Sequence, residues 1–381
     1  MNKIAKLSFV AAVAVSGLTS ANATALEEAI KGVDISGTAV YRYDDRSNAK
    51  YDQGNSYKLA VNLKSSINDN LTFNTRTIVG DATDLVSLKT DKADGNADVS
   101  VSHVNFAYTG IMNTTVIAGK QAVPSPFAVQ ADAAGNENTG TGITSLTTVG
   151  PVTVAATYLN QTNLFASTTG QDIAGLGLMG NAGPVALDGW YLQALETNSA
   201  DDDGAALYTL GSKAKVEMVE LTARYSAIDP AASGVDTESI WKVGAKAKLG
   251  IVTGSLDYGQ SNDSDTYGSL IGYAHSASTT SPDADADVNL QAWALNLNKN
   301  DASLIKASLG VDVLSDLNLS ATYADLSVDS AANADASEYY GQLTYKMGKN
   351  FMTYARLGQV DYDDSSKDTD SRGRLHVQYT F

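Results

Sequence analysis

From residue 33 onward the chain alternates apolar and polar side chains with a period of two, the pattern of strands with two different faces. Val33, Ile35, Gly37, Ala39, Tyr41 and Tyr43 share one face against Asp34, Ser36, Thr38, Val40 and Arg42 on the other. Trp241, Val243, Ala245, Ala247 and Leu249 alternate in the same way with Lys242, Gly244, Lys246 and Lys248. One face is apolar and the other carries charge.

The connections between these segments come in two alternating lengths. Short ones fall near 67 to 70, 110 to 113, 150 to 151, 180 to 184, 217 to 218, 250, 314 to 316 and 348 to 350. Long polar ones fall near 44 to 55, 80 to 98, 122 to 142, 160 to 172, 197 to 205, 229 to 238, 261 to 301, 327 to 337 and 362 to 371. They separate eighteen strands, with sixteen as the alternative because the alternation is weak at 143 to 149, 173 to 179 and 185 to 196. The stretch 288 to 297 could add a strand inside a long loop. All six prolines lie in connections, where no ladder hydrogen bond is lost.

A sandwich would bury its apolar faces against each other and has no reason for two-sided loop lengths. Short turns at one end, long loops at the other and strands of about 10 residues, apolar outside and polar inside, are the signature of a transmembrane up-and-down antiparallel β-barrel. The C-terminus agrees: Leu375, Val377, Tyr379 and Phe381 alternate with Arg374, His376, Gln378 and Thr380 up to a terminal aromatic. At the other end, Lys3 and Lys6 precede an apolar run from Leu7 to Val15 and then Ala21-Asn22-Ala23. That run is too short to span a bilayer and reads as a Sec signal cleaved before Thr24. The expected organisation is a signal peptide over 1 to 23 and one barrel domain over 24 to 381.

Composition narrows the chemistry. With 26 basic and 43 acidic residues the net charge is -17, which speaks against nucleic acid and for cations as partners. Of the acids, 29 fall in the nine long loops, so the negative charge gathers at one mouth. There is no cysteine, hence no disulfide and no thiolate chemistry. His103 and His376 sit on inward positions and His275 in a loop, and none has Ser and Asp partners at a spacing that reads as a triad. Nothing here points to an enzyme.

Several segments carry a likeness: Ala21-Asn22-Ala23-Thr24, Leu26-Glu27-Glu28-Ala29-Ile30-Lys31, Val33-Asp34-Ile35-Ser36-Gly37 with Tyr41-Arg42-Tyr43-Asp44, and Val116-Ile117-Ala118-Gly119-Lys120-Gln121. In these the sequence resembles the major outer membrane proteins of Campylobacter and related bacteria. The resemblance implies an eighteen-stranded trimeric porin with a loop folded into the lumen, and a possible calcium ion at the constriction.

The loop at 122 to 142 is the expected constriction. Pro124 and Pro126 stiffen its entry, Gly135, Gly140 and Gly142 let it turn, and it presents Asp132 and Glu137. The same two carboxylates are the calcium candidates. Arg42, Lys58, Arg76 and Lys120, near the loop ends of their strands, are expected to face them and set a transverse field across the pore. Lys213, Lys215, Arg224, Lys242, Lys246 and Lys248 form a second basic group. Asp283, Asp285 and Asp287 imitate the start of an EF-hand loop, but Val288 and Ala294 stand where its Gly and bidentate Glu belong.

The expectation is therefore a general-diffusion porin of the bacterial outer membrane. It would be a homotrimer in contact with lipid and lipopolysaccharide, mildly cation-selective, passing ions and small hydrophilic solutes without a required cofactor. The alternatives are a solute-specific channel and a surface adhesin or structural barrel.

Overall fold

The computed structural model describes residues 32–47, 54–80, 85–88, 99–129, 137–164, 170–195, 204–231, 234–264, 287–331, 334–364 and 366–381. In chain order the strands begin with β1 (Val33–Arg46), β2 (Gly54–Asn68), β3 (Leu71–Val79), the two-residue β4 (Val86–Ser87), β5 (Val99–Ile111) and β6 (Thr114–Ala122). They continue with β7 (Thr139–Val149), β8 (Val152–Thr162), β9 (Gln171–Ala182), β10 (Val185–Ala194), β11 (Ala205–Val216), β12 (Val219–Pro230) and β13 (Glu238–Leu249). The last are β14 (Val252–Ser261), β15 (Ala302–Asp312), β16 (Leu317–Val328), β17 (Ala336–Met347), β18 (Phe351–Tyr362) and β19 (Asp370–Thr380). Each pairs antiparallel with its neighbours, and β19 returns to β1, from Thr38 opposite Thr380 to Arg46 opposite Arg372. β4 only extends the sheet beside Ser56 and Tyr57 of β2, so the closed wall has eighteen strands. The sixteen-stranded alternative falls: the three weakly patterned segments are β7, β9 and β10.

All eight short connections are tight turns, several turning through a left-handed residue such as Asn113 (φ 56°) or Gly250 (φ 61°). Outside, the barrel presents many apolar side chains: Leu210, Leu221, Val243, Leu256, Leu309, Leu343 and Leu357 are all exposed. Tyr191, Tyr208, Tyr225, Trp241, Tyr258, Tyr323 and Tyr339 line its long-loop edge, the place of an interfacial aromatic girdle. No helix among the described residues is long and apolar enough to cross a membrane.

The inner face departs from the simple expectation of a polar lumen. Its turn-side half is polar, with Lys246, Ser255, Ser308 and Thr322 along one row of neighbouring strands. Between β8 and β16 much of its loop-side half is apolar: Leu159, Ile173, Leu192, Leu207, Ile228, Ile240, Leu304 and Leu326 point inward and are fully buried. What covers them is chain. Val123, Phe127 and Ala128 from the loop after β6, with Val288, Leu290, Leu295 and Leu297 from the loop after β14, join the same buried cluster. Alternation along a strand tells which residues share a face, and an inward apolar residue becomes stable only when loops fold in to exclude water from it.

Candidate functional site

The loop after β6 leaves the wall through Val123 and returns through Asn138, whose backbone accepts from the Val123 N–H and whose side chain accepts from the Val129 N–H at 2.8 Å. Ser125 Oγ accepts from the Phe127 N–H at 3.2 Å, tightening the turn between the two prolines. The side chains of 127 to 129 are buried, so this loop lies inside the barrel. Asp132 lies outside the described residues. Glu137 is described and is almost wholly buried, with Oε1 at 3.4 Å from Arg76 Nε and Oε2 at 3.2 Å from His103 Nε2.

The local cause of that arrangement is a bulge. Arg76 pairs with His103 but Thr77 pairs with Val101, so β5 gains one residue here. Val101 and Val104 both stay on the outer face while Ser102 and His103 both turn inward, onto Glu137. Burial raises the Glu137 carboxyl. The hydrogen bond and charge of His103, the charge of Arg76 and the Ser102 hydroxyl outweigh it and hold the group below the usual carboxylate range. Oε1 faces Arg76 and Oε2 faces His103, and Asp132, the other calcium candidate, is not among the described residues. Among the described residues no cluster of three or more His, Asp or Glu side chains is placed to hold a metal ion.

Three of the four cations expected to face this loop lie on the lumen side. Arg76 meets Glu137. Arg42 is buried on the lumen side, with Nε 3.3 Å from Nδ1 of His376, and Lys58 is buried on the lumen side of β2. Lys120 does not join them: it lies opposite Val104 and Thr141 on the outer face, and its Nζ donates to the Val101 carbonyl at 2.7 Å. The kink of β6 at Gly119 (φ 123°) sits beside it.

A second loop segment, 287 to 301, also enters the lumen, in place of the extra strand that its alternation suggested. It forms a narrow hairpin, Leu297 N–H to Leu290 O at 3.0 Å and Ala292 N–H to Leu295 O at 2.7 Å, with Gln291 bridging Asn296. Its base is held to the β12–β15 wall. Asp287 meets Arg224 at 2.8 Å and Lys242 at 3.3 Å, Lys242 Nζ also donates to the Asn289 carbonyl, and Lys306 donates to the Gln291 carbonyl at 2.9 Å. Its tip is held by Glu338 of β17, whose buried carboxylate accepts from the backbone N–H groups of Trp293, Ala294 and Leu295 at 2.7, 2.6 and 3.0 Å. Trp293 packs edge-on to Tyr340, and the guanidinium carbons of Arg356 and Arg374 stand 5.2 and 5.7 Å from its ring centre. The apolar run Val288, Leu290, Ala292, Leu295 and Leu297 inside a polar loop was the one sequence sign of this insertion.

The second basic group faces the lumen among carboxylates. Arg224 grips Asp188 with two hydrogen bonds of 2.9 Å, Lys213 pairs with Glu220 at 2.9 Å, and Lys248 pairs with Asp312 at 2.8 Å. On the far wall Arg374 pairs with Asp44 and Arg372 with Asp370. Under the base of the inserted hairpin lies a cavity of about 740 Å³, bordered by Lys213, Arg224, Lys242 and Lys306 with Asp188 and Asp287. A smaller one of about 310 Å³ adjoins it toward the turn side.

An eighteen-stranded barrel, apolar outside and with matched charges inside, has the form of an outer-membrane channel. The profile of the Campylobacter major outer membrane protein family matches residues 2–375. This chain belongs to that family. It is an outer-membrane porin and not an enzyme. No curated protein matches it in sequence. Its fold is similar to that of solved channels: OccAB3 of Acinetobacter baumannii (14% identity, TM-score 0.69, covering 92% of this chain and 99% of that one) and OprD of Pseudomonas aeruginosa (12%, 0.66, 92% and 94%). OpdK of Pseudomonas aeruginosa, solved with vanillate, is similar at 14% identity and TM-score 0.64, covering 92% of this chain and 99% of that one.

Proposed function

We propose that this porin is a water-filled general-diffusion channel for ions and small hydrophilic solutes, mildly selective for cations and working as a homotrimer once residues 1 to 23 are removed. The observation that carries the reading is the pairing of lumen charge. Arg224, Lys213, Lys248, Arg372, Arg374 and Arg76 each contact a carboxylate, so each pair acts as a local dipole. Local dipoles orient a passing solute without binding it tightly, and their fields fade within the screening length of about 8 Å at physiological salt. Of the 29 acids of the long loops, Asp44, Glu137, Asp287 and Asp370 are taken up in these lumen pairs; the others remain as the longer-range charge at the mouth, and they attract cations.

Reversal potentials across planar bilayers under a KCl gradient test this. The expected result is a mild preference for K⁺ that grows as salt is diluted; an anion preference would mean that the wall governs the pore. A second reading, a solute-specific channel, is favoured by the insertion of two loop segments into one lumen, and permeation confined to one solute class, with other small hydrophilic solutes excluded, would select it. Lipopolysaccharide bridged by cations to the acidic loops fits either reading.

A further inference from the structure

Three inward rows on the β11–β16 wall lie directly beneath the inserted hairpin. The uppermost, with Arg224 and Lys242, is occupied in holding Asp287. In the two rows below it, Lys306 meets the hairpin, donating to the Gln291 carbonyl at 2.9 Å and leaving its other N–H groups for a solute. One row runs from Lys213 through Thr222, Gly244 and Asp257 to Lys306, and the next from Glu220 through Lys246 and Ser255 to Ser308 and Thr322. These rows border the 310 Å³ cavity, which opens beside the larger one.

Charge alternates here in both directions. Lys246 lies directly across from Glu220, and Asp257 directly across from Lys306. Yet these pairs are loose. Lys306 and Asp257 are 4.0 Å apart, Glu220 turns to Lys213, and Lys246, which is exposed in the lumen, makes no ion pair among the described residues. Gly244 is the wall position between Thr222 and Asp257. A Cβ there would come within 2.4 Å of Asp257 Oδ1, so glycine keeps the carboxylate flat against the wall and the cavity open. Ser255 and Ser308 add hydroxyls that can donate or accept.

We infer that this patch is a binding subsite for a small zwitterion of the amino-acid type, a solute carrying one ammonium and one carboxylate. Lys246 and Lys306 receive its carboxylate, and Asp257 and Glu220 receive its ammonium. Side chains diagonal across neighbouring strands stand roughly 7 to 8 Å apart at their bases, within reach of one small molecule bearing both charges. A singly charged solute satisfies half of the patch and leaves the other half facing a like charge or nothing. The inference rests on the channel reading above, since the patch is reached only through the lumen.

The test uses L-glutamine, with propionate and ethylammonium as single-charge controls. In single-channel recordings L-glutamine on the turn side should produce brief, saturable current interruptions at concentrations where neither control does. Lys246→Ala and Asp257→Asn should each weaken that block about tenfold, the loss expected for one charge-assisted hydrogen bond. Equal block by propionate would replace the zwitterion site with a plain anion site, and open channels that ignore L-glutamine would overturn the subsite while leaving the channel intact. Isothermal calorimetry of L-glutamine with the folded barrel in detergent decides the subsite independently of conductance. A silent barrel that binds L-glutamine, and loses binding in Asp257→Asn, would fault the channel reading alone.

Discussion

Removing the Glu338 carboxylate tests whether the hairpin is fixed in the lumen or merely rests there. Glu338 is almost fully buried and is the shared acceptor for three consecutive backbone N–H groups at the hairpin tip. Three such donors form a concave nest suited to one anion. In Glu338→Ala all three lose their acceptor. A hydrogen bond to a charged group contributes about 1.5 to 3 kcal/mol. The nominal sum is therefore about 4 to 9 kcal/mol, but burying the carboxylate costs several kcal/mol and lumen water reaches part of the vacated space. A net loss of about 3 kcal/mol is the resulting expectation, roughly a 150-fold shift toward the undocked hairpin at 1.4 kcal/mol per factor of ten. Hydrogen exchange read by mass spectrometry measures this directly. Protection of the amides of Trp293, Ala294 and Leu295 should fall about 100-fold, while those of β15, anchored by barrel pairing, should not change. Single-channel current should at the same time become noisy between sublevels. Unchanged protection at 293 to 295 would show that the apolar contacts of Val288, Leu290 and Leu297 alone fix the hairpin, and the reasoning from the carboxylate would be refuted.

Acidification should loosen the first loop by a different route. Because the Glu137 carboxyl is held below its usual range, its contribution is fully present above about pH 4.3, the ordinary value, and is lost as pH falls through the depressed folded value. Exchange protection at 127 to 129 should drop on titration from pH 7 to 3, and a Glu137→Gln variant should lack the transition. On the lipid face, Ala245→Arg should destabilise the refolded barrel by about 2 to 4 kcal/mol at membrane depth, whereas Ser255→Arg, on the lumen face of the adjacent strand, should cost much less; equal urea midpoints would place the strand register one residue off. Intact mass of the protein from outer membranes should lack residues 1 to 23, and a retained Met1 would exclude cleavage before Thr24.

The wall of the barrel was legible in the amino-acid sequence because it is written in local terms. A period of two assigns each residue to a face, turn chemistry marks each reversal, and loop lengths distinguish the two ends. All eight turns, the outward set around Val243 and the inward Lys246 follow from that alone. The weak segments that became β7, β9 and β10 were ambiguous because Gly and Thr carry little facial contrast. Tertiary structure decided the rest. The bulge at Ser102 and His103 reverses the parity of β5, which alternation read in one frame cannot show, and the pairing of β6 against it puts Lys120 outside, away from the loop it was expected to face. The inward leucines and isoleucines of the loop-side half look like lipid-facing residues out of phase until the segments around Phe127 and Leu290 arrive to cover them. Glu338 and Trp293 lie 45 residues apart in sequence. Nothing local marks their partnership, because a buried carboxylate is stable only once a distant backbone has supplied its donors, and that supply exists only in the folded chain.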